Sequence, residues 1–295
     1  MIYVITGPTG SGKSSLAMAF AKAINGQIIN ADAFQVYKYM DVGTNKATVK
    51  EQAAVKHHLL DIVAPSEGYD VASYQNAARA IISKLSEQKI PIIMCGGSGL
   101  YIRAALYDYV FPPQELKTNS NYQDLTNAQL YDELKRIDNE AAMTVHQNNR
   151  RRVMRALEIY ARTGRSKSEH LALHRPNLLY NALFVGLKYE RDQLYALVDA
   201  RVDTMIQKGL IEEVKSIVAQ FGLEARALQA IGYKQVLPYL KNECTLEQAI
   251  ADIKTATRHY VKRQFTFFNR QLPMHWFDTK EEAKAFLLRE FHLHE

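Results

Sequence analysis

The chain has 295 residues, 47% of them apolar and 10% aromatic, which fills the core of one large or two modest domains and excludes a disordered chain. No apolar run approaches the length of a membrane span, and Cys95 and Cys244 are too few and too far apart for a disulfide framework or a thiolate zinc module. The net charge of +6 is moderate and excludes nothing alone, but its distribution carries information. Ile2 to Thr6 reads as a strand rather than a signal peptide, since no basic n-region surrounds it, and a cytoplasmic location is expected. Directly after it, Gly7-Pro8-Thr9-Gly10-Ser11-Gly12-Lys13-Ser14 is a complete G-x-x-x-x-G-K-[ST] phosphate loop leading into a helical pattern over 14–25. Its backbone N–H groups and the following helix N-terminus suit a diphosphate or triphosphate, Lys13 adds a full charge, and the Ser14 hydroxyl suits Mg²⁺.

Further strands are expected at 27–30, 59–63, 91–95 and 183–187, alternating with helices at 70–88 and 98–106. That alternation predicts βαβ units, a mostly parallel sheet covered on both faces, and ligands at the carboxyl ends of its strands. The phosphate loop, Asp32 and Gly96-Gly97-Ser98-Gly99 would then open onto one crevice. Asp32 has two readings, a turn cap or a general base, and its place in that crevice favours the base. From Phe111-Pro112-Pro113 the character changes to a polar stretch through Asn119, Ser120 and Asn121, followed by helices to about 168. A helical insertion over 112–173 is expected, with 1–111 and 174–295 forming the main domain. In the insertion, Val153, Leu157 and Tyr160 share one helical face, and Arg151, Arg155 and Arg162 the opposite one. After 187 the chain reads as helical over 191–208, 209–220, 226–240 with an interruption at Pro238, and 245–269, before a short strand at 274–277.

Residues 146–175 carry eight basic side chains against two acidic ones, and 254–270 carry five against none, so the rest of the chain is net acidic. Such concentration points to a polyanion, most commonly nucleic acid, with solvated helix faces as the bland alternative. The loop and Asp32 by themselves also suit a small-molecule kinase using ATP, or a nucleic-acid binder with a nucleotide switch. The kinase reading explains the loop and Asp32 but leaves the two basic stretches without purpose.

The choice comes from motifs in order: Asp32-Ala33-Phe34-Gln35-Val36-Tyr37-Lys38, Asp41-Val42-Gly43-Thr44, His57-His58-Leu59-Leu60-Asp61-Ile62, Gly96-Gly97-Ser98-Gly99-Leu100-Tyr101, Arg155-Ala156-Leu157-Glu158, Ile231-Gly232-Tyr233-Lys234, and Thr257-Arg258 with Lys262-Arg263-Gln264. Together they resemble the tRNA isopentenyltransferase family of bacterial type, from the first strand to about residue 270. The resemblance implies a P-loop NTPase-like α/β fold with a helical insertion and a helical C-terminal part. It implies that the loop holds the diphosphate of dimethylallyl diphosphate, and that the five-carbon group moves to N6 of adenosine 37 beside the tRNA anticodon. Asp32 is then the base, with Lys13, Ser98 and Arg201 as the other catalytic residues and Mg²⁺ on Ser14. The family places Ala33, Phe34, Gln35, Ser98, Gly232, Tyr233 and Lys234 against tRNA, together with Asp32 and the arginine face of Arg151, Arg152 and Arg155; core packing is an equal reading of Tyr233. By that resemblance Gln35 reads the adenine edge; a monomer is expected. The chain departs from the family pattern at Ala33, usually serine, at Ser98, usually threonine, and at Asn45 and Ala47.

Overall fold

The computed structural model describes residues 1–109, 122, 124–173 and 177–294. The Phe111-Pro112-Pro113 break, Asn119 to Asn121 and Arg175 lie outside them. In chain order the elements are β1 (Ile2–Thr6), α1 (Lys13–Ala23), β2 (Gln27–Asn30), α2 (Val49–Ala54), β3 (His57–His58), α3 (Val71–Glu87), β4 (Ile92–Gly96), α4 (Gly99–Leu106), α5 (Asn127–Ile137), α6 (Asn139–Thr144), α7 (Arg150–Thr163), α8 (Lys167–Leu173), β5 (Ala182–Leu187), α9 (Arg191–Gln207), α10 (Leu210–Phe221), a 3-10 turn (Arg226–Gln229), α11 (Tyr233–Leu240), α12 (Leu246–Gln271), β6 (Met274–Phe277) and α13 (Lys280–His292). They form two compact units, Met1–Tyr107 with Leu178–Glu295, and Asp108–Asn177. The second unit is wider at both ends than the insertion expected at 112–173.

The first unit is built on a six-stranded sheet in the order β3-β2-β4-β1-β5-β6, with every neighbouring pair parallel. All five residues of β1 are buried, which suits an apolar run to an interior strand of a sheet covered on both faces. Alternate side chains serve the two faces. Leu16, Phe20, Ala283 and Leu287 of α1 and α13 pack on Tyr3, Ile5 and Ile93, whereas Tyr74, Ile82, Ile102 and Phe268 of α3, α4 and α12 pack on Val4, Ile29 and Met94. A third cluster joins Val36 to Met40 with α9 to α12 through Val202, Leu210, Tyr233 and Ile253.

Register brings the strand ends together: Thr6 pairs with Gly96, and Asn30 with Cys95. The phosphate loop, the Asp32 turn and the Gly97-Ser98 turn therefore leave the sheet side by side. Only glycine serves at position 96, because a side chain there would run into the backbone of Ala31.

In the second unit, α5 to α7 bury Leu130, Leu134, Val153 and Leu157 against one another. Arg150 is tied inward, donating to the carbonyls of Leu125 (2.6 Å) and Tyr122 (3.2 Å), whereas Arg151, Arg152 and Arg155 are exposed.

Several elements differ from the sequence expectation. The strand expected over 59–63 is only the pair His57–His58, because Leu59 and Asp61 adopt left-handed backbone (φ 62° and 55°) and break the ladder. The rest of that run pairs with the 36–38 loop, Ile62 donating to the Val36 carbonyl and Lys38 to that of Val63. Helix α2 buries no residue and so carries no apolar period; it is held by a Thr48–Glu51 capping box. Pro238 does not interrupt 226–240 but sits in the last turns of α11; the break lies earlier, at Gly232 with φ 97°.

Candidate active site

The phosphate loop turns through positive φ at Gly7, Gly10 and Gly12 (148°, 82° and 86°), and Gly12 starts α1, so its N–H groups and the helix end face the same crevice. Lys13 curls back over the loop, its Nζ donating to the Pro8 carbonyl at 3.2 Å. Burial lowers its pKa; Cys95 and Asp32 oppose this and Arg201 adds to it. Cys95 lines the same hollow, and burial pushes its thiol up to about 11, which keeps it protonated and unreactive.

Asp32 follows β2 in a self-braced turn. Its N–H donates to Asn30 Oδ1 (3.0 Å), and its Oδ1 accepts the Phe34 N–H (2.9 Å). The Ser98 Oγ accepts the Ala33 N–H at 3.0 Å. Ser98 is thus a brace of the Asp32 turn. Gln35 turns its amide nitrogen onto the Thr44 carbonyl (3.1 Å), and Arg201 makes a longer contact to the same oxygen (3.5 Å). Burial lowers the pKa of Arg201 while Asp32 works against the shift; a guanidinium stays charged regardless.

Two cavities open around these groups. The first is walled by the phosphate-loop residues Thr9, Lys13 and Ser14 with Asp32, Gln35, Lys46 and Cys95. The second is largely apolar, with Phe34, Val202, Met205, Ile231, Ile253 and Tyr260. Thr9, Asp32, Thr44 and Arg201 line both. A polar, cation-bearing hollow and an apolar one therefore meet at a carboxylate and a guanidinium.

The sequence also matches a known family. The model described as IPP transferase matches residues 35–271. A tRNA dimethylallyltransferase of Anoxybacillus flavithermus is 44% identical over 286 residues, covering 96% of this chain and 91% of the relative. The chain belongs to the IPP transferase family. Solved structures agree. A full-length tRNA isopentenylpyrophosphate transferase of Bacillus halodurans is 35% identical with a TM-score of 0.74, covering 99% of this chain and 98% of that one. A eukaryotic dimethylallyltransferase acting on tRNA is 28% identical with a TM-score of 0.85, covering 99% of this chain and 79% of that one.

Against this IPP transferase framework, the residues singled out in the sequence separate. Lys13, Ser14, Asp32, Phe34, Gln35, Gly232 and Arg201 line the cavities. Tyr233 does not: it is 0% exposed, so its side chain has no surface to offer a polynucleotide. Its ring packs in the third core cluster, while Lys234 beside it is exposed. The second basic stretch is also less free than its charge suggests. Lys254 pairs with Asp203 (2.7 Å), and Arg258 is gripped by both oxygens of Asp199, so these cations join α12 to α9.

The sequence reading also left functional braces without a role. Gln264 is 5% exposed, accepts the Thr9 N–H (2.9 Å) and donates to the Gly97 carbonyl (2.9 Å), stitching the phosphate loop to the turn after β4. Lys46, with its side chain 2% exposed, bonds Asp41 and Asp61 at 2.6 Å each. Gln264 stands in a quoted motif, but a polar residue on a helix declares no partner.

Proposed function

We propose that the chain transfers a dimethylallyl group from dimethylallyl diphosphate to N6 of adenosine 37 in tRNA, releasing diphosphate. Transfer of the dimethylallyl group to tRNA follows from membership of the IPP transferase family and the names of its relatives. The observation that carries the finer reading is the meeting of a polar and an apolar cavity at Asp32 and Arg201. Two substrates that must react head to head need such a junction.

The polar cavity takes the diphosphate on Lys13 and the phosphate-loop N–H groups. The apolar cavity takes the flat base, which must leave its stack to expose N6. That amine is a weak nucleophile, because its lone pair is delocalised into the ring. As the N6–C1 bond forms, Asp32 takes the N6 proton, the C1–O bond breaks, and the electron pair leaves with diphosphate. Arg201 and Lys13 meet the charge that develops there.

The donor set fits Mg²⁺ that arrives with phosphate. The Ser14 hydroxyl lines the polar cavity, and among the described residues no three His, Cys, Asp or Glu side chains cluster to hold a resident metal. Mg²⁺ keeps its waters and binds through one or two protein oxygens plus phosphates. When bound, it would neutralise charge on the leaving diphosphate.

Every residue lining the two cavities belongs to the first unit, and action as a monomer is part of the proposed reading. No helix among the described residues is long and apolar enough to cross a membrane, and a tRNA substrate supports a cytoplasmic location. The deciding assay incubates the protein with dimethylallyl diphosphate, Mg²⁺ and unmodified tRNA. N6-isopentenyladenosine at position 37 without ATP is the expected product; a product that requires ATP overturns the reading.

The exposed arginine face of α7 supports the second unit as a tRNA-contacting element. Among the described residues, Arg155 pairs only with Glu158, at 3.6 Å, and remains available to phosphate. Changing Arg151 and Arg155 together to alanine is expected to weaken tRNA binding across sequences and reduce the slope of log K against log salt by about 1.5 to 2. Binding titrations at several salt concentrations measure this; an unchanged slope returns both residues to solvated-face status.

A further inference from the structure

Two of the motifs that carry the family resemblance, Asp41-Val42-Gly43-Thr44 and Ile231-Gly232-Tyr233-Lys234, contribute little of their own side chains to the reaction. The structure shows what joins them. Glu213, in the first turn of α10, accepts the N–H groups of Asp41 (2.9 Å) and Val42 (2.7 Å) on Oε2, and that of Gly43 (3.1 Å) on Oε1. Oε1 also accepts the hydroxyl of buried Tyr233. Burial and the adjoining carboxylate hold that phenol protonated, so it stays a donor. Four donors thus converge on one carboxylate. Gly43 has to be glycine, because a side chain would run into the Tyr233 ring.

The pinned segment leads directly to the reaction centre. Thr44 follows Gly43, lines both cavities, and its carbonyl is the acceptor shared by Gln35 (3.1 Å) and Arg201 (3.5 Å). Its hydroxyl donates back to the Met40 carbonyl (2.5 Å), and Lys46 anchors Asp41 from the other side. The Thr44 carbonyl is therefore held from both flanks.

We propose that Glu213 is a positioning residue for prenyl transfer: by gathering the Asp41–Gly43 amides and the Tyr233 hydroxyl, it fixes the Thr44 carbonyl that aims Arg201 and Gln35 at the substrate junction. This rests on the function proposed above. Glu213 touches no reacting atom and acts through the loop.

The test is Glu213→Gln, which keeps the size of the side chain but turns one oxygen into a donor facing donors. Arg201 acts on charge that develops only in the transition state, so kcat falls about 10- to 100-fold while KM for dimethylallyl diphosphate shifts less than about threefold. In an Arg201→Ala background the same substitution costs less than about threefold, because the residue it aims is gone. Tyr233→Phe removes one donor and keeps the ring; it lowers kcat about 2- to 5-fold with the same dependence on Arg201, and serves if Glu213→Gln does not fold. Effects that simply multiply with Arg201→Ala, or an unchanged kcat in folded Glu213→Gln, overturn the proposal while wild-type transfer continues. Absence of transfer by the wild-type protein overturns the function itself.

Discussion

Asp32→Ala is expected to leave tRNA bound and to lower the rate of transfer about 10²- to 10⁴-fold, the usual contribution of a positioned general base. The expectation rests on where the carboxylate sits. It lines both cavities and is held by its own turn, with Oδ1 on the Phe34 N–H at 2.9 Å. That bond is also the obvious objection, since a carboxylate that caps a turn loses stability when removed, by about 1 kcal/mol for one hydrogen bond. Asp32→Asn separates the two roles. Its amide oxygen can still accept from Phe34, so the turn is preserved, but it cannot take a proton from N6. Both variants are expected to fail in single-turnover formation of N6-isopentenyladenosine at saturating substrates, with tRNA affinity near wild type. The diphosphate substrate should bind both no more weakly, because an anion has been removed from beside Lys13 and Arg201. An active Asp32→Asn enzyme returns Asp32 to the role of a cap.

Asp32 was legible in the sequence because its signals are local. It follows a short apolar strand, and β1, β2 and β6 fall at the residues their apolar runs mark. The phosphate loop is likewise a contiguous pattern whose spacing is its mechanism. What stayed hidden depends on partners distant in the chain. Gln264 meets Thr9 across 255 residues, and Glu213 meets Asp41 across 172, and before folding each is one more polar residue on a helix. The same blindness runs in the opposite direction for charge. Lys254 and Arg258 look like part of a cationic face until α9 presents Asp203 and Asp199 to them.

Secondary structure failed for a related reason where tertiary contacts overrode an apolar run. Leu59 to Val63 has strand composition, yet the Leu59 carbonyl is taken by the Asn30 side chain at 3.0 Å, and the Asp61 carboxylate by Lys46. Those bonds suit two left-handed residues better than a ladder. Helix α13 went unread because it begins immediately after β6, and its two fully buried positions, Ala283 and Leu287, make too thin a stripe to declare a period. Its partner is α1, which carries the phosphate loop, so this last helix helps to fix the start of the site.

Lys13→Met is expected to lower kcat/KM about 10²- to 10³-fold, the usual effect of removing one preorganised contact to developing charge, and to raise the thermal stability of the substrate-free protein. The two effects have one cause. In the empty cavity the ammonium is desolvated, has a 3.2 Å bond to the Pro8 carbonyl, and lies near the guanidinium of Arg201, so burial lowers its pKa. A lysine whose pKa is lower folded than unfolded binds its proton more tightly in the unfolded chain. Below the lowered value the folded protein therefore bears the full cost of the buried cation, and that cost is recovered as pH rises from the lowered value to the ordinary lysine value. Methionine fills similar space without the charge, so its benefit is largest at neutral pH and shrinks as the pH approaches the ordinary lysine value. Bound diphosphate removes the same penalty by giving the ammonium a partner, and should stabilise the wild type much more than the variant. Thermal denaturation of both proteins, with and without diphosphate, at neutral and alkaline pH measures all three differences. A Lys13→Met protein less stable than wild type when empty would show that the ammonium braces the loop, and that the phosphate loop is not held ready at the expense of stability.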